Sequence, residues 1–429
     1  VARFFSPSGN AARDSPISCC QGGQDDEGRH EVAMTRLAPL HQEIQVNFRY
    51  GVYFTEDVLA PHNPLLAGIM AGGGLEPSRK VLVVVDDGLH KHHPRLLEEI
   101  AAYVGHYAGQ FRLAGPPLLV PGGEQVKNET FPVSQVRRAI HAYGLCRHSY
   151  VVAFGGGAVI DMTGYAAATA HRGVRLVRLP TTVMAQADAS IGVKNSINAF
   201  GKKNFVGTFA PPCAVINDVH FLTTLPQRDW ISGVAEAVKV ALIKDEAFFA
   251  FLEENALNLV NRRLDLMSKT IHRSAKLHLH HISTGGDPFE MGSSRPLDFG
   301  HWSAHKLEQL TQFSLRHGEA VAIGIALDVT YSCLAGDLPQ AEWDRVITLL
   351  EQLGLPIYVP ELDEEALLEG LQEFREHLGG RLTVMLLETI GRGREVHALD
   401  PELVRTAAGL LRERALGHHL VIGARRSTG

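Results

Sequence analysis

The feature that most restricts the fold of this chain is a change of hydrophobic rhythm partway along it. Over residues 81–154, short apolar runs (V-L-V-V-V-D-D, P-L-L-V-P-G-G-E, Y-V-V-A-F-G-G-G) alternate with amphipathic stretches, one over about 94–108 and one reading S-Q-V-R-R-A-I-H-A-Y. A run too apolar to have a wet face, followed by a helix-length segment, predicts parallel βαβ units with strands buried on both sides. After about Pro226 such runs become rare, and helical segments take over: W-I-S-G-V-A-E-A-V-K-V-A-L-I, L-D-F-G-H-W-S-A-H-K-L-E and G-E-A-V-A-I-G-I-A-L. The pattern predicts an α/β nucleotide-type domain over 41–225 and a mostly α-helical domain over 226–429. A chain of 429 residues is long enough for both. Residues 1–40, rich in Gly, Ser, Asp and Arg and without periodicity, read as a mobile, disordered extension. Val1 is expected to be a translated alternative start, with Met34 the natural one.

Composition narrows the function classes. With 45% hydrophobic and 21% charged residues the chain is an ordinary globular protein. Its formal net charge of −6 gives no basic footprint for nucleic acid or an anionic membrane, so any anionic ligand must be held by local cations. Five scattered cysteines without a C-x-x-C pair suggest neither a disulfide framework nor a thiolate zinc site. No run reaches the length of a membrane span and no signal-peptide core is present, so a cytoplasmic protein is expected.

Two constellations carry chemistry. Gly155, Gly156 and Gly157 stand between an apolar strand and a helix-like segment, where glycine lets backbone amides and a helix dipole approach a pyrophosphate. The same triplet is compatible with a purely structural turn. Thr181 and Thr182, after the next strand, add hydroxyls at strand carboxyl ends, where open α/β sheets bind ligands. Further along, Glu236 and Lys239 are three apart on one apolar helix face, either an intrahelical ion pair or a metal ligand beside a cation. His301 and His305 are one turn apart and His317 opens another helix; imidazole with carboxylate suits zinc or a similar ion, although 22 histidines make chance pairs common. The run His278, His280, His281 reads as a solvated helix face.

In order along the chain, F-G-G-G-A-V-I-D-M-T-G-Y-A-A-A-T-A-H-R-G, L-P-T-T-V-M-A-Q-A-D-A-S-I-G-V-K, G-K-K-N, L-T-T-L-P, G-V-A-E-A-V-K, F-G-H-W-S-A-H and H-G-E-A-V-A resemble the 3-dehydroquinate synthase family of sugar phosphate cyclases, over about residues 81–396. The stretches D-P-F-E-M-G-S-S-R-P-L-D-F-G-H-W-S-A-H-K-L-E and F-R-E-H-L-G-G are similar to its divergent EboD-type subgroup. The resemblance implies a Rossmann-like NAD-binding domain followed by a helical metal-binding domain. It implies that a C7 sugar phosphate is closed to a carbocycle with phosphate elimination and transient oxidation by NAD. Carried over by motif, Glu236, His301 and His317 are the metal ligands, for Zn2+ or Co2+. Asp86, Glu124, Lys127, Gly156, Gly157 and Asp161 are cofactor residues, with Thr181, Thr182, Lys203 and Thr224. Asp188, Lys194, Lys239 and His305 are catalytic; Asn204, Arg295 and Asp298 meet substrate. Arg172 matches an arginine that reaches the neighbouring subunit's site, which implies a homodimer.

The substrate end departs from the family pattern. Asp298 stands where the family has asparagine, Arg295 is one position closer to His301 than the family's arginine, and a lysine that meets a substrate carboxylate falls on His280. The family's D-K-K reads Phe374-Arg375-Glu376. A cyclase acting on sedoheptulose 7-phosphate or a similar sugar without a carboxylate is the first alternative. A metal-dependent NAD polyol dehydrogenase of the glycerol dehydrogenase type is the second, and a non-catalytic relative the third.

Overall fold

The computed structural model describes residues 39–71, 79–128, 130–292 and 294–417. All but the last two residues of the expected 1–40 extension, with Val1 and Met34, lie outside the described residues. From Phe48 onward the chain forms one compact unit by backbone contacts.

Nine strands come first: β1 (Gly51–Thr55), β2 (Arg79–Asp86), β3 (Phe111–Leu113), β4 (Leu118–Val120), β5 (Tyr150–Gly155), β6 (Arg175–Pro180), β7 (Lys194–Ala199), β8 (Lys202–Phe209) and β9 (Ala214–Asp218). Seven of them make one sheet in the order β1-β9-β6-β5-β2-β3, with β4 also on β2, and every pairing is parallel. Between them run α1 (Leu65–Ala71), α2 (Asp87–His92), α3 (Leu96–His106), α4 (Gln125–Asn128), α5 (Thr130–Ala142) and α6 (Gly157–Thr169). Strand side chains alternate faces, so Val81, Val83 and Val85 pack with Leu96 and Ile100 of α3, whereas Leu82 and Val84 pack with Val136 of α5 and Ile160 of α6. Both faces are covered, which is why the strands read as continuous apolar runs.

From residue 227 the chain is helical: α7 (Gln227–Ser232), α8 (Val234–Lys244), α9 (Glu246–Val260), α10 (Leu264–Thr284), α11 (His301–Leu310), α12 (His317–Leu334), α13 (Gln340–Gln352), α14 (Ala366–His377) and α15 (Pro401–Ala415). A hairpin of β10 (Val384–Thr389) and β11 (Arg392–Val396) interrupts it. In α8 all residues but Lys244 are buried, and in α12 all but His317 and Glu319, so these two helices are buried all round and sit at the centre of the largest core, with Glu236, Lys239 and Asp328 as buried charged residues among apolar ones. Gly300 takes a left-handed turn (φ 75°) before α11. A Cβ on Gly324 of α12 would lie 2.0 Å from the Gly300 carbonyl oxygen, so only glycine allows this approach. No helix among the described residues is long and apolar enough to cross a membrane.

Candidate active site and metal centre

A cleft of about 1320 Å³ runs from the carboxyl ends of β2, β5 and β6 to the start of α11 and α12. It is lined by Asp86, Glu124, Lys127, Gly156, Gly157, Asp161, Thr181, Thr182, Lys203 and Thr224, and by Asp188, Lys194, Asn204, Lys239, Arg295, Asp298, His301, His305 and His317. Glu236 lies just beneath its surface, 1% exposed. Arg172, exposed at φ 62° beyond α6, does not line it.

Helical spacing builds the floor. Glu236 and Lys239 meet one turn apart on α8, Nζ to Oε2 at 2.6 Å. His301 and His305 project from successive turns of α11, and His317 is the first residue of α12. The ring nitrogens of the three histidines come within 4.8 Å of one another. Glu236 Oε1 is 3.3 Å from His317 Nε2 and 3.7 Å from His301 Nε2. The outer nitrogens are tied elsewhere: His301 Nδ1 is 3.1 Å from the Phe299 carbonyl oxygen, and His317 Nδ1 is 3.0 Å from Glu308 Oε2. An Nδ1–H donated outward directs each Nε2 toward Glu236, the orientation in which a deprotonated Nε2 binds a cation. Neither oxygen of buried Glu236 has a hydrogen bond of good geometry, so the carboxylate is poised for a charged partner beyond Lys239.

The buried charges pull the cluster in opposite directions. Burial pushes the Glu236 carboxyl upward, but Lys239 and the histidines outweigh it and hold it well below the usual range. Burial alone would lower Lys239; Asp188 at 3.8 Å and Glu236 instead hold its ammonium above the usual lysine range. Burial drives His301 and His305 down, and Lys239 and Lys203 respectively push the same way. His317 is depressed by burial and Lys203, yet Glu308 and Glu236 raise it to about 9.

Asp188 is carried by a π-helical turn, Ala185–Ala189, whose Ala185 N–H is capped by the Thr182 hydroxyl at 3.2 Å. Buried Arg178 then fixes the path toward β7, donating to the carbonyls of Ser190, Gly192 and Lys194 and to Asn195 Oδ1. Lys194 opens the β7–β8 hairpin, which also brings Lys203 and Asn204 over the cleft. Asn204 Oδ1 accepts from Lys127 and from Ser196 Oγ, leaving its NH2 group to donate. Lys127 also reaches Asp161 of α6 at 2.8 Å. At the sheet end, Asp86 caps α2 through Gly88 N–H, Gly156 caps α6, and Thr224 Oγ1 shares a hydrogen bond with His93.

Several residues depart from the sequence reading. Lys203, assigned to the cofactor, grips Glu308 at 2.7 and 2.8 Å and lies 3.4 Å from His317 Nδ1, so it also braces the histidine cluster. His278 is no solvated side chain: its Nδ1 lies 2.6 Å from Asp188 Oδ1. His281 lines the cleft with it, whereas His280 is exposed. One signal was available, since His278 continues the buried stripe Met267, Ile271, Ser274 of α10 at helical spacing. Glu308 and Glu290, whose Oε2 lies 2.6 Å from Lys194 Nζ, had none.

The parallel sheet with its glycine turn, joined to a helical half carrying the histidine–carboxylate cluster, defines the dehydroquinate synthase-like fold class. Family models described as 3-dehydroquinate synthase N-terminal and 3-dehydroquinate synthase C-terminal match residues 117–232 and 233–376. A 3-dehydroquinate synthase of Paracoccus denitrificans is 34% identical over 353 residues, covering 79% of this chain and 92% of that protein. One from Nitrosospira multiformis is 37% identical over 292 residues, 68% of this chain and 78% of its own length. Among solved structures, ValA, the 2-epi-5-epi-valiolone synthase of Streptomyces hygroscopicus subsp. jinggangensis with NAD+ and Zn2+ bound, superposes with a TM-score of 0.79 at 29% identity, over 87% of this chain and all of that one. The chain belongs to the 3-dehydroquinate synthase family of sugar phosphate cyclases.

Proposed function

We propose that this chain is an NAD- and divalent-metal-dependent cyclase that closes a C7 sugar phosphate into a carbocycle and releases inorganic phosphate. The observation that carries the reading is the convergence of Glu236, His301 and His317 on one point, beside a charged Lys239, in a cleft whose other end is the Gly156–Gly157 turn. The similar valiolone synthase binds NAD+ and Zn2+, and the residues here fit both. Glu236, His301 and His317 would hold zinc, or cobalt, with His305 adjacent; Asp86, Gly156, Gly157, Thr181 and Thr182 would hold the nucleotide. When bound, the nucleotide supplies reversible hydride acceptance and the ion supplies Lewis acidity.

The chain's own groups do the rest. Lys239, kept charged by its two carboxylates, donates to a substrate oxygen, and the Asp188–His278 pair beside it can take up and return a proton. Lys194 and the Asn204 amide donate to phosphate oxygens. Gripping both ends of one substrate makes ring closure effectively unimolecular. Arg172, exposed and unused in a single chain, fits a homodimer in which it serves the partner's cleft. We further propose that the division of labour between nucleotide and metal halves falls near residue 225.

A cyclase regains the hydride within each turnover, so supplying the correct sugar phosphate should give stoichiometric inorganic phosphate and no net NADH. Stoichiometric NADH with the phosphate ester intact would sink the cyclase reading and favour a polyol dehydrogenase.

A further inference from the structure

Lys203 and Asn204 are neighbours in β8, yet both line the cleft. Consecutive residues of a regular strand face opposite ways, so the strand is not regular here. The register shows where it departs: Ile197 pairs with Val206 and Ala199 with Lys202, which leaves Asn198 alone on β7 opposite Lys203, Asn204 and Phe205. A bulge of this kind re-aims side chains. Asn204 takes a left-handed backbone (φ 55°), which asparagine tolerates better than most residues, and exposed Phe205 meets Phe200 with ring centroids 5.5 Å apart.

A bulge disrupts the backbone ladder, and here a side chain supplies a replacement. Asn198 Oδ1 accepts from the Asn204 backbone N–H at 2.8 Å. Its Nδ2 donates the other way, to Glu124 Oε1 at 3.0 Å and Asn128 Oδ1 at 2.7 Å, just before α4 and at its last residue. Both amide hydrogens and the oxygen of Asn198 are therefore engaged, and Asn198 does not line the cleft. The Asn204 side chain is fixed by a second set of groups. Its Oδ1 accepts from Lys127, which also reaches Asp161, and from Ser196 Oγ at 2.9 Å. With the oxygen turned to those donors, the NH2 group is the part of Asn204 left for the cleft. That orientation holds only while the backbone beneath it keeps its left-handed turn, and the side chain gripping that backbone is Asn198.

We infer that Asn198 is a positioning residue for the substrate's phosphate: bracing the bulge against α4, it keeps the Asn204 NH2 group turned into the cleft. The inference rests on the reading of Asn204 as a phosphate donor and adds what makes it one. An aspartate at 198 would keep the acceptor for the Asn204 N–H but set a second carboxylate against Glu124.

The test is calorimetric binding of inorganic phosphate to the full chain loaded with NAD and zinc, in a cycle of Asn198→Ala, Asn204→Ala and the double variant, with circular dichroism checking the fold of each. Asn204→Ala should weaken phosphate about tenfold, the scale of one hydrogen bond to a charged group. Asn198→Ala should lose a comparable factor from outside the cleft, and the double variant should be no weaker than Asn204→Ala alone, because the two residues act as a unit. Asn198→Ser, whose hydroxyl is too short to reach the Asn204 N–H, should repeat the loss and takes the place of the alanine variant if that one does not fold. A loss at Asn198 that adds in full to the loss at Asn204 is a general packing defect and overturns the inference, as does phosphate affinity unchanged by either substitution of Asn198. Affinity unchanged in Asn204→Ala, or no phosphate bound by wild type, overturns the reading of Asn204 as a phosphate donor and the inference with it.

Discussion

Glu308 is not among the proposed metal ligands, yet it braces one of them. Its carboxylate, 3% exposed, accepts from Lys203 and holds His317 Nδ1 at 3.0 Å. Such an outer partner orients the imidazole and raises its basicity, and its loss costs about 10–100-fold in metal affinity. Glu308→Gln should therefore weaken zinc binding by that factor in a chelator competition at fixed pH while circular dichroism stays unchanged; unaltered affinity would show that His317 needs no such brace. Asp328 makes a second residue-level case. Fully buried on α12, it accepts from Trp302 Nε1 and Gly300 N–H, and burial outweighs both in pushing its carboxyl up to about 7. A carboxyl whose folded pKa is raised keeps its proton in the native state while the unfolded chain releases it. Its stabilising contribution is present below about pH 4 and is lost as pH rises through 7. The shift of roughly three units corresponds to about 4 kcal/mol. Asp328→Asn cannot ionise, so its stability relative to wild type should rise between pH 5 and pH 8 in urea denaturation, and a constant difference would contradict the assignment.

Elements explain both the legibility of the site and its limits. Glu236 with Lys239, and His301 with His305, were readable because one helical turn fixes where side chains three or four apart must meet. The βαβ rhythm was readable because two-sided burial leaves unbroken apolar strands. The β7–β8 hairpin was not, since K-N-S-I-N-A and K-K-N-F-V-G-T-F alternate too weakly to announce strands that are mostly polar and half-covered. Glu290 and Glu308 escaped because their lysine partners are 96 and 105 residues away and their nearer partners, Arg295 and His317, lie across a turn from them, where no local pattern fixes the spacing. Helix packing offers its own test at Gly324, where a methyl group would collide with the Gly300 carbonyl and push α12 from the turn that presents His301. Gly324→Ala should cost about 1–3 kcal/mol and lower zinc affinity together; loss of one without the other would separate the packing from the site.

At the scale of the whole molecule, the cleft draws on side chains from Asp86 to His377, so whatever fills it ties distant parts of the chain together. Ligands that bind only the folded state stabilise by mass action, about 2.7 kcal/mol at a hundred times Kd. NAD and zinc should each raise Tm by a few degrees, the zinc part reversed by chelator, and absence of any shift would argue against both sites. The sheet also sets a schedule for synthesis. Strand β1 pairs with β9 over Gly51↔Ala214 to Thr55↔Asp218, and Val58 N–H is received by the Asp218 carboxylate at 2.8 Å. Its neighbour is thus made some 160 residues later. On a ribosome, β1 emerges with no partner and must wait while β2 to β6 assemble, because a contact so remote in sequence closes late. Over that interval the nascent chain carries an unpaired strand with exposed Tyr53 and Phe54, a target for chaperones that bind extended aromatic segments.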